Sequence, residues 1–482
     1  MAYYNELKKY ENRIAVLDDT NRGISYAELD EFCQKIGNKI PERSLVFSFC
    51  ENSIGSVCGY VAFLYNHVVP VLLDKHIDGE LRKNLIEIYK PDYLYVPEEL
   101  VEIVERECVQ AESIWVGNGY RLLATHLAYQ HQLYPDLALL LTTSGSTGSP
   151  KLVRQSYTNI QANAESIAEY LQIDETERPI TTLPMNYTYG LSIMNSHLLK
   201  GATILVTNHT LMEREFWTFF KSAEATTFGG VPYTYEILKK LRFFRMDLPS
   251  LRYMTQAGGK LSPELHKEFA EYAQANGKKF IVMYGQCEAT ARMAYLPAEK
   301  AVEKYGSMGI AIPGGRLDLV DVNGNVITES GVVGELVYYG PNVTLGYAEK
   351  AEDLQKGDER FGRLETGDMA KSDAEGYFYI VGRKKRFLKI FGNRVNLDEA
   401  ERMIKAYLDG QECECACAGV DDRLYVFLTD VSGELKSNVR HFLAEKTGLN
   451  PSAFKVKYIE KIPKNEAGKT LYIKLEEFYD GV

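Results

Sequence analysis

The spacing of apolar and polar positions predicts buried strands that alternate with helices. Residues 44–49 form an apolar run typical of a buried strand, while residues 156–171 have the 3.6-residue periodicity of a helix and residues 5–12 predict a short polar helix. Ser25 and Glu28 have the spacing of a capping box at the start of another helix. Strands separated by helical segments favour a parallel sheet with right-handed crossovers.

The middle of the chain repeats one design, in which a strand ends in a turn that contains glycine; in the second copy an aromatic and an acidic residue flank that glycine. Residues 251–259 and 279–288 both follow it, as expected where an open α/β sheet forms a ligand crevice at its carboxyl edge. From about Gly306 the pattern changes to short strands and turns, and residues 321–326 predict a hairpin.

We therefore predict an α/β protein with two domains. The large N-terminal domain comprises layered α/β subdomains and a small β region, and it covers residues 1–382. A small, mobile α+β domain follows at 386–482. The basic run 383–386 marks the boundary and the predicted hinge, although a solvated basic surface fits that run equally well.

A loop after the apolar residues 139–141 carries the first candidate chemistry. Glycines let backbone N–H groups approach an anion closely, hydroxyls donate further hydrogen bonds, and a lysine adds charge. We predict that the loop wraps a nucleotide triphosphate, although its composition alone also fits a surface turn and it lacks the Gly-Lys-Ser/Thr ending of a Walker loop. The predicted contacts are Thr143, Ser144, Gly145, Ser146, Thr147, Gly148 and Lys151.

Composition narrows the class of protein. A chain of 482 residues exceeds the size of one core, and its net charge of −11 argues against nucleic acid or an anionic membrane as partner. No apolar run reaches the roughly 18 residues of a membrane span, and the first residues lack the apolar core of a signal peptide. Eight cysteines suggest reduced thiols, so we expect a cytoplasmic protein.

Cys413, Cys415 and Cys417 alternate along a strand, a spacing that favours packing over zinc binding.

Further motifs follow the loop in a fixed order. They are Tyr-Gly-Gln-Cys-Glu at 284–288, Thr-Gly-Asp at 366–368, a Gly-Arg-Lys-Lys-Arg segment at 382–392, and Pro-Lys-Asn-Glu-Ala-Gly-Lys at 463–469. Together they resemble the motifs of the adenylate-forming superfamily, which includes acyl-CoA synthetases, peptide-synthetase adenylation domains and luciferases. The resemblance covers roughly two thirds of the chain, from about residue 141 to residue 469.

The resemblance implies ATP and Mg²⁺ as cofactors and a carboxylic acid that attacks the α-phosphate of ATP. Such a reaction depends on positioning and on neutralising negative charge. By resemblance, Glu288 is a catalytic residue and Mg²⁺ ligand, and Lys469 bridges the acid and the α-phosphate. The pattern implies that Tyr284 stacks on adenine and that Asp368 accepts hydrogen bonds from the ribose. The nucleotide contacts implied beyond the loop are Gly258, Gly259, Lys260, Tyr284, Gly285, Cys287, Asp368 and Arg383.

The acid pocket and the hinge are also implied by the resemblance. Tyr187 occupies the position of the residue that gates the acid, and Lys385 that of the hinge residue. Thr188 follows the gate where adenylation domains for α-amino acids place an aspartate, so an α-amino acid is disfavoured. The predicted pocket residues are Tyr187, Tyr189, Val231 and Gln286.

Three positions depart from the family pattern: Cys287 replaces a threonine, Leu152 a glycine and Tyr472 an arginine. None removes a charge from the predicted site. We expect an acid–thiol ligase that forms an acyl-adenylate and then a thioester on CoA. Two alternatives stay open, namely an enzyme that loads the phosphopantetheine of an acyl carrier protein and an inactive nucleotide-binding protein.

Overall fold

A computed structural model describes residues 2–107, 111–127, 132–142, 151–390, 393–409, 413–420, 422–429, 433–464 and 470–479. The chain forms two compact units. The first comprises Met1–Leu317 and Val337–Leu364, and the second comprises Asp318–Leu336 and Glu365–Val482. The division into compact units does not show about which residues one domain rotates. The domain boundary and the hinge near residues 383–386 therefore stay predictions.

Strands and helices alternate through most of the chain. The strands are β1 Ile14–Asp18, β2 Gly23–Ser25, β3 Leu45–Cys50, β4 Val69–Asp74, β5 Tyr93–Pro97, β6 Glu112–Gly117, β7 Tyr120–Ala124, β8 Leu137–Thr142, β9 Leu152–Ser156, β10 Ile204–Val206, β11 Thr227–Gly230, β12 Tyr253–Gln256, β13 Lys279–Tyr284, β14 Ala294–Tyr295, β15 Ile310–Ala311, β16 Arg316–Val320, β17 Val326–Ile327, β18 Gly334–Tyr339, β19 Gly346–Ala348, β20 Arg363–Ser372, β21 Phe378–Arg383, β22 Phe387–Ile390, β23 Asn393–Asn396, β24 Cys415–Val420, β25 Arg423–Leu428 and β26 Phe454–Tyr458. The α-helices are α1 Tyr26–Gly37, α2 Ile54–Tyr65, α3 Gly79–Tyr89, α4 Val101–Glu107, α5 Tyr157–Tyr170, α6 Thr188–Leu198, α7 Arg214–Ser222, α8 Pro232–Lys240, α9 Pro263–Ala275, α10 Leu397–Tyr407 and α11 Gly433–Thr447.

The largest sheet of the first unit has the order β19-β9-β8-β4-β3-β5-β7-β6. Its centre is parallel, because β3 pairs in parallel with β4 and β5, and β4 does so with β8. Antiparallel strands close both edges. The predicted α/β fold with parallel strands is confirmed, and the antiparallel edges are an addition that the apolar pattern did not predict.

Helices cover both faces of this sheet, which explains its uninterrupted apolar strands. In β3, Leu45, Phe47 and Phe49 pack in one core with Leu85 of α3, while Val46 packs in another core with residues of α1 and α2. All six residues of β3 are buried. A strand between two layers of helices buries both of its faces and needs no polar alternation.

The start of the chain confirms one prediction and corrects another. Ser25 and Glu28 form the predicted capping box of α1. Residues 5–12 do not form the predicted helix; two 3₁₀ turns, Tyr3–Asn5 and Leu7–Tyr10, cover this part instead. Tyr4 in the first turn and Leu7 in the second are both buried. Each turn thus carries one side chain into the core, and this tertiary packing overrides the local preference for a helix.

A second sheet of the first unit has the order β11-β12-β13-β14-β15, with β11, β12 and β13 parallel. The carboxyl ends of these three strands therefore lie at one edge. Two of those ends lead directly into the glycine-containing segments 257–259 and 285–288. The sheet thus brings together the segments that the sequence predicted to border the ligand crevice.

In the second unit, β24 pairs antiparallel with β25, and β25 pairs in parallel with β26. Cys415 and Cys417 are buried in the core below this sheet, and Cys413 packs against the same core. In the described part of the chain, no group of three or more His, Cys, Asp or Glu side chains could hold a metal ion. The prediction that these cysteines are packing residues is confirmed.

Across the described ranges, none of the helices has both the length and the apolar character that crossing a membrane requires.

Arg154 in β9 ties distant parts of the first unit together. Its side chain is fully buried, and it donates hydrogen bonds to the carbonyl oxygens of Tyr347, Leu345, Lys356 and Gly357. Its guanidinium also pairs with Glu359 at 2.5 Å. One side chain therefore satisfies the backbone of a segment that lies about 200 residues away in the chain.

Replacing this buried arginine is expected to destabilise the protein. Arg154→Met leaves several buried carbonyl oxygens without donors, and we expect the free energy of unfolding to fall by about 3 kcal/mol. Urea denaturation measures the change. The exposed Arg106, which pairs with Glu102 one turn away, supplies the control, and Arg106→Met should change stability by less than about 0.5 kcal/mol. Equal effects of the two substitutions would contradict the role of Arg154.

Candidate functional site

The predicted phosphate loop is anchored at both ends by paired strands. Thr142 at the end of β8 is the partner of Leu152 at the start of β9. Leu152 is fully buried in the core of the main sheet, which gives a packing reason for a leucine at this position. The predicted contacts Thr143, Ser144, Gly145, Ser146, Thr147 and Gly148 lie outside the described residues.

The loop lysine and the motif glutamate meet at one tyrosine. The Nζ of Lys151 lies 3.7 Å from the centroid of the Tyr347 ring. The hydroxyl of Tyr347 donates a hydrogen bond of 2.6 Å to Oε1 of Glu288. Tyr347 reaches this position because β19 pairs with β9, which begins directly after Lys151. The structure therefore places two predicted site residues, 137 positions apart in sequence, around a third residue that the sequence analysis missed.

Arg360 adds a second cation beside the same ring. Its guanidinium carbon lies 4.7 Å from the centroid of Tyr347, and it donates hydrogen bonds to the carbonyl oxygen of Glu288 and to the hydroxyl of Thr344. Burial, followed by the hydrogen bond and negative charge of Glu288, raises the pKa of Tyr347 to about 12. Tyr347 is therefore protonated at neutral pH and acts as a donor. Lys151 also forms an ion pair of 3.8 Å with the exposed Glu349, so a polyanion bound by these two cations would compete with that carboxylate for Lys151.

The turn that presents Glu288 depends on a glycine. A Cβ on Gly285 would lie 1.5 Å from the carbonyl oxygen of Ala291, so no side chain fits there. The chain continues into a 3₁₀ turn, Cys287–Ala289, which carries Glu288. Gln286 donates a hydrogen bond of 3.2 Å to the hydroxyl of Tyr284. The order of glycine, amide and acid in the sequence thus corresponds to a compact turn at the end of β13.

Tyr187, the predicted gate of the acid pocket, lies beside Gly258, which closely follows the end of β12. A Cβ on Gly258 would lie 2.5 Å from the Tyr187 hydroxyl and 3.1 Å from Cγ1 of Val231. Gly258 also has φ +81°, which favours glycine. Burial and the nearby thiol of Cys287 raise the pKa of Tyr187 above its usual value. The structure therefore brings predicted pocket residues and predicted nucleotide residues next to one another.

The rest of the predicted pocket and adenine edge can also be located. Tyr189 is buried in α6, and its hydroxyl shares a hydrogen bond of 2.8 Å with the hydroxyl of Thr255. Gly259 accepts a hydrogen bond from the amide of Gln256 through its carbonyl oxygen. Gly259 and Lys260 are exposed directly after the turn at Gly258.

Arg292 is a buried charged residue of this region that the sequence analysis missed. Its guanidinium carbon lies 4.5 Å from the centroid of the Tyr189 ring, and it donates a hydrogen bond of 3.0 Å to the hydroxyl of Tyr170. Its position four residues after Glu288 was the signal available.

In the second unit, Asp368 and Arg383 face each other across β20 and β21. Nε of Arg383 lies 2.7 Å from a carboxylate oxygen of Asp368, which is almost fully buried, whereas Arg383 is largely exposed. The backbone N–H of Asp368 donates to the hydroxyl of Thr366. The structure brings these two predicted ribose contacts together. Lys385 lies in the short 3₁₀ helix Lys384–Arg386.

The terminal motif is anchored at its base. Lys464 and Thr470 form an antiparallel bridge, and the N–H of Leu471 donates to the carbonyl oxygen of Pro463. Lys469 lies between these anchors and outside the described residues. Nearby in sequence, Tyr472 donates a hydrogen bond of 3.1 Å to Glu401.

An arginine from elsewhere in the second unit lies beside Tyr472, the residue that replaces the arginine of the family pattern. The guanidinium carbon of Arg386 lies 3.7 Å from the centroid of the Tyr472 ring. Arg386 also pairs with Asp398 at 2.6 Å and with Glu401 at 3.3 Å. A cation is therefore present beside this position, although another part of the second unit supplies it.

Removing the hydroxyl of Tyr347 is expected to weaken the site without dismantling it. Tyr347→Phe keeps the aromatic face for Lys151 but loses the hydrogen bond to Glu288. A hydrogen bond to a charged group contributes about 1.5–3 kcal/mol, so we expect kcat/KM for ATP to fall roughly 10- to 100-fold. Pyrophosphate–ATP exchange kinetics measure it. The control is Tyr339→Phe, a tyrosine of β18 that lies over Arg316 and that should leave kcat/KM unchanged. If Tyr347→Phe has the same kcat/KM for ATP as the original chain, the proposed role of the Tyr347–Glu288 hydrogen bond is wrong.

Sequence comparison identifies a family and several relatives of this chain. The sequence model described as AMP-binding enzyme matches residues 4–348. The oxalate–CoA ligase of Arabidopsis thaliana is 27% identical over 353 residues, which cover 69% of this chain and 66% of that protein. The 4-coumarate–CoA ligase-like 4 of Oryza sativa subsp. japonica is 29% identical over 350 residues, covering 70% of this chain and 62% of that protein.

Solved structures resemble the whole chain. The o-succinylbenzoate CoA synthetase from Bacillus subtilis, in complex with its acyl-adenylate intermediate, superposes with a TM-score of 0.76 at 23% identity and covers 98% of both chains. That likeness shows the fold. The matched region spans less than two thirds of the length of the two curated relatives. Because the family pattern extends over most of the sequence, the chain belongs to the family of AMP-binding enzymes.

Proposed function

We propose that the protein is an AMP-forming acid–thiol ligase. It activates a carboxylic acid with ATP to give an acyl-adenylate and pyrophosphate, and then transfers the acyl group to the thiol of CoA. The observation that carries this proposal is the meeting of Lys151 and Glu288 at Tyr347 in a chain of the AMP-binding enzyme family. The relatives named as CoA ligases support CoA as the acceptor.

The charges of the first unit fit the first step. The attack of a carboxylate on the α-phosphate brings two anions together, and pyrophosphate leaves with further negative charge. Lys151 and Arg360 lie on the same tyrosine ring and can bind the phosphates. Lys469 remains the proposed bridge between the attacking carboxylate and the α-phosphate, because a flexible ammonium can follow the charge as it develops.

Glu288 fits the requirements of a Mg²⁺ ligand. One of its carboxylate oxygens accepts the hydrogen bond of Tyr347, and the other has no hydrogen-bond partner among the described side chains. Mg²⁺ in nucleotide sites takes one or two carboxylates and completes its shell with phosphates and waters. When bound, the ion neutralises phosphate charge. Tyr347 orients the carboxylate by its hydrogen bond.

For the nucleoside we propose Tyr284 and the Gly258–Gly259–Lys260 edge as adenine contacts and the Asp368–Arg383 pair as ribose contacts. For the acid we propose the space next to Tyr187 and Val231. Thr188 is a buried threonine at the start of α6, where a carboxylate would be needed to pair with an α-ammonium group. A cytoplasmic location and rotation of residues 386–482 about Lys385 are further expectations from the sequence.

Acid-dependent pyrophosphate–ATP exchange tests the proposal. The purified chain is assayed with a panel of aliphatic, aromatic and dicarboxylic acids, and at least one acid should stimulate exchange. Calorimetry measures ATP binding in parallel. ATP binding without exchange for any acid would contradict ligase activity and favour an inactive nucleotide-binding protein.

The acceptor requires a second assay. With an active acid, thioester formation is compared between CoA and a phosphopantetheinylated acyl carrier protein. Thioester on CoA supports the proposal. Thioester on the carrier protein alone would replace CoA with the phosphopantetheine arm as the acceptor.

A further inference from the structure

The two residues that follow the 3₁₀ turn carrying Glu288 have a strained backbone. Thr290 has a φ of 51° and Ala291 a φ of 94°, both in the left-handed region. A residue with a Cβ seldom adopts such angles and keeps them only where the surrounding structure holds the backbone in place. Contacts from elsewhere in the chain therefore have to hold the segment that begins two residues after Glu288.

The buried side chain of Asn342 bonds to both ends of this strained segment. Asn342 is 1% exposed, and its side-chain N–H groups donate to the carbonyl oxygens of Ala289 at 2.7 Å and of Arg292 at 2.9 Å. These carbonyls belong to the residues before Thr290 and after Ala291. The hydroxyl of Thr290 donates a hydrogen bond of 2.8 Å to the backbone carbonyl oxygen of Asn342. Asn342 therefore contacts the segment at its start, its middle and its end.

The partners of the Asn342 amide determine its orientation. A carbonyl oxygen only accepts hydrogen bonds, so the side-chain nitrogen of Asn342 faces Ala289 and Arg292. Its side-chain oxygen accepts a hydrogen bond of 2.8 Å from the hydroxyl of Tyr338. Asn163 also donates to the carbonyl oxygen of Arg292, at 3.0 Å, so this end of the segment has a second support. The loss of Asn342 would therefore act mainly on the Ala289 end, which adjoins the motif glutamate.

The residues that follow Asn342 bond to Glu288 itself. Thr344 donates to the carbonyl oxygen of Glu288 from its backbone N–H and from its hydroxyl, each at 3.0 Å. Arg360 donates to the same oxygen at 3.1 Å. Tyr347 holds the carboxylate of Glu288. The stretch from Asn342 to Tyr347 thus holds the backbone and the side chain of Glu288 as well as the strained segment behind it.

We infer that Asn342 is a positioning residue for the reaction, because it holds the strained segment and thereby fixes the direction of the Glu288 carboxylate. This inference rests on the proposed role of Glu288 as a Mg²⁺ ligand. Groups that orient a metal ligand change metal affinity strongly even though they do not touch the metal. Asn342 acts in this way through the backbone, whereas Tyr347 acts through a bond to the carboxylate itself.

Calorimetry of ATP binding tests the inference and needs no active acid. Asn342→Ala removes the donors to both carbonyl oxygens, so its affinity for ATP in the presence of Mg²⁺ should fall by about 10- to 100-fold. The affinity measured in EDTA should stay that of the original chain, because the other proposed phosphate contacts are unchanged. In pyrophosphate–ATP exchange with an active acid, the loss should be larger at low Mg²⁺ than at high Mg²⁺.

Asn66 supplies the matched control. Its side-chain amide also donates to two carbonyl oxygens, those of Cys33 at 2.7 Å and of Ala62 at 2.8 Å, but it joins α1 to α2. Asn66→Ala should lower the melting temperature and keep the ATP affinity of the original chain, both with Mg²⁺ and with EDTA. If Asn342→Ala weakens ATP binding to the same extent in both conditions, its role is structural and the inference is wrong.

Relief of the backbone strain provides a second test. Glycine adopts positive φ values without the steric cost of a Cβ, so Ala291→Gly combined with Asn342→Ala should recover part of the affinity for ATP in Mg²⁺. No recovery would overturn the inference. If Asn342→Ala does not fold, Thr290→Val replaces it. That variant loses only the hydroxyl bond to Asn342, and its affinity for ATP in Mg²⁺ should fall by about 2- to 10-fold; an unchanged affinity would contradict the inference.

The results also separate this inference from the role of Glu288. If Glu288→Gln weakens ATP binding in Mg²⁺ but Asn342→Ala does not, the inference is wrong and the ligand role stands. If the original chain binds ATP equally with Mg²⁺ and with EDTA, the ligand role of Glu288 is wrong and the inference fails with it.

Discussion

Lys469→Ala is expected to reduce the rate of adenylate formation by about 10³-fold, because the ammonium is proposed to neutralise charge that develops only as the acid attacks the α-phosphate. ATP binding should change little, since the phosphate contacts proposed for Lys151 and Arg360 are unaffected. Pyrophosphate–ATP exchange gives kcat and KM, and calorimetry gives the affinity for ATP. The expected pattern is a fall in kcat with a nearly constant dissociation constant for ATP.

Lys474 provides the matched control for this substitution. It is an exposed lysine in the same terminal segment, within the 3₁₀ helix Tyr472–Phe478, and Lys474→Ala removes the same charge. That variant should retain the exchange rate of the original chain. Equal losses in both variants would assign the effect to net charge, and a full rate in Lys469→Ala would remove Lys469 from the mechanism.

Glu288→Gln is expected to lower kcat/KM for ATP by about 10²–10³-fold, because it removes the carboxylate proposed as a Mg²⁺ ligand. The amide can still accept the hydrogen bond of Tyr347, so the fold of the turn should be preserved. Exchange is measured over a range of Mg²⁺ concentrations. The loss should be larger at low Mg²⁺ than at high Mg²⁺, which distinguishes weaker metal binding from a disturbed structure.

The control for this second prediction is Glu299→Gln. Glu299 is an exposed acid in the 3₁₀ helix Ala298–Lys300, close to Glu288 in sequence. Its replacement by glutamine changes the net charge by the same amount and should leave the Mg²⁺ dependence unchanged. If Glu288→Gln responds to Mg²⁺ as the original chain does, the proposed ligand role of Glu288 is wrong.

Local patterns predicted the parts of the fold that depend on neighbouring residues. The capping box at Ser25 and the buried strand β3 depend on spacings within a few residues, and both are present. The short helix predicted over residues 5–12 was wrong because the burial of Tyr4 and Leu7, which no local propensity describes, selects 3₁₀ turns. The antiparallel edges of the main sheet were missed because strand direction is decided by pairing between distant segments.

The same distinction applies to the candidate site. The sequence alone determined the class of protein and a set of candidate residues, because binding a nucleotide requires particular residue types in short contiguous motifs such as the one containing Glu288. Only the tertiary structure decided that Tyr347 joins Lys151 to Glu288, because that contact depends on the register between β9 and β19. It also decided that Arg292 is buried between Tyr170 and Tyr189, since burial is set by every chain segment that packs around a residue.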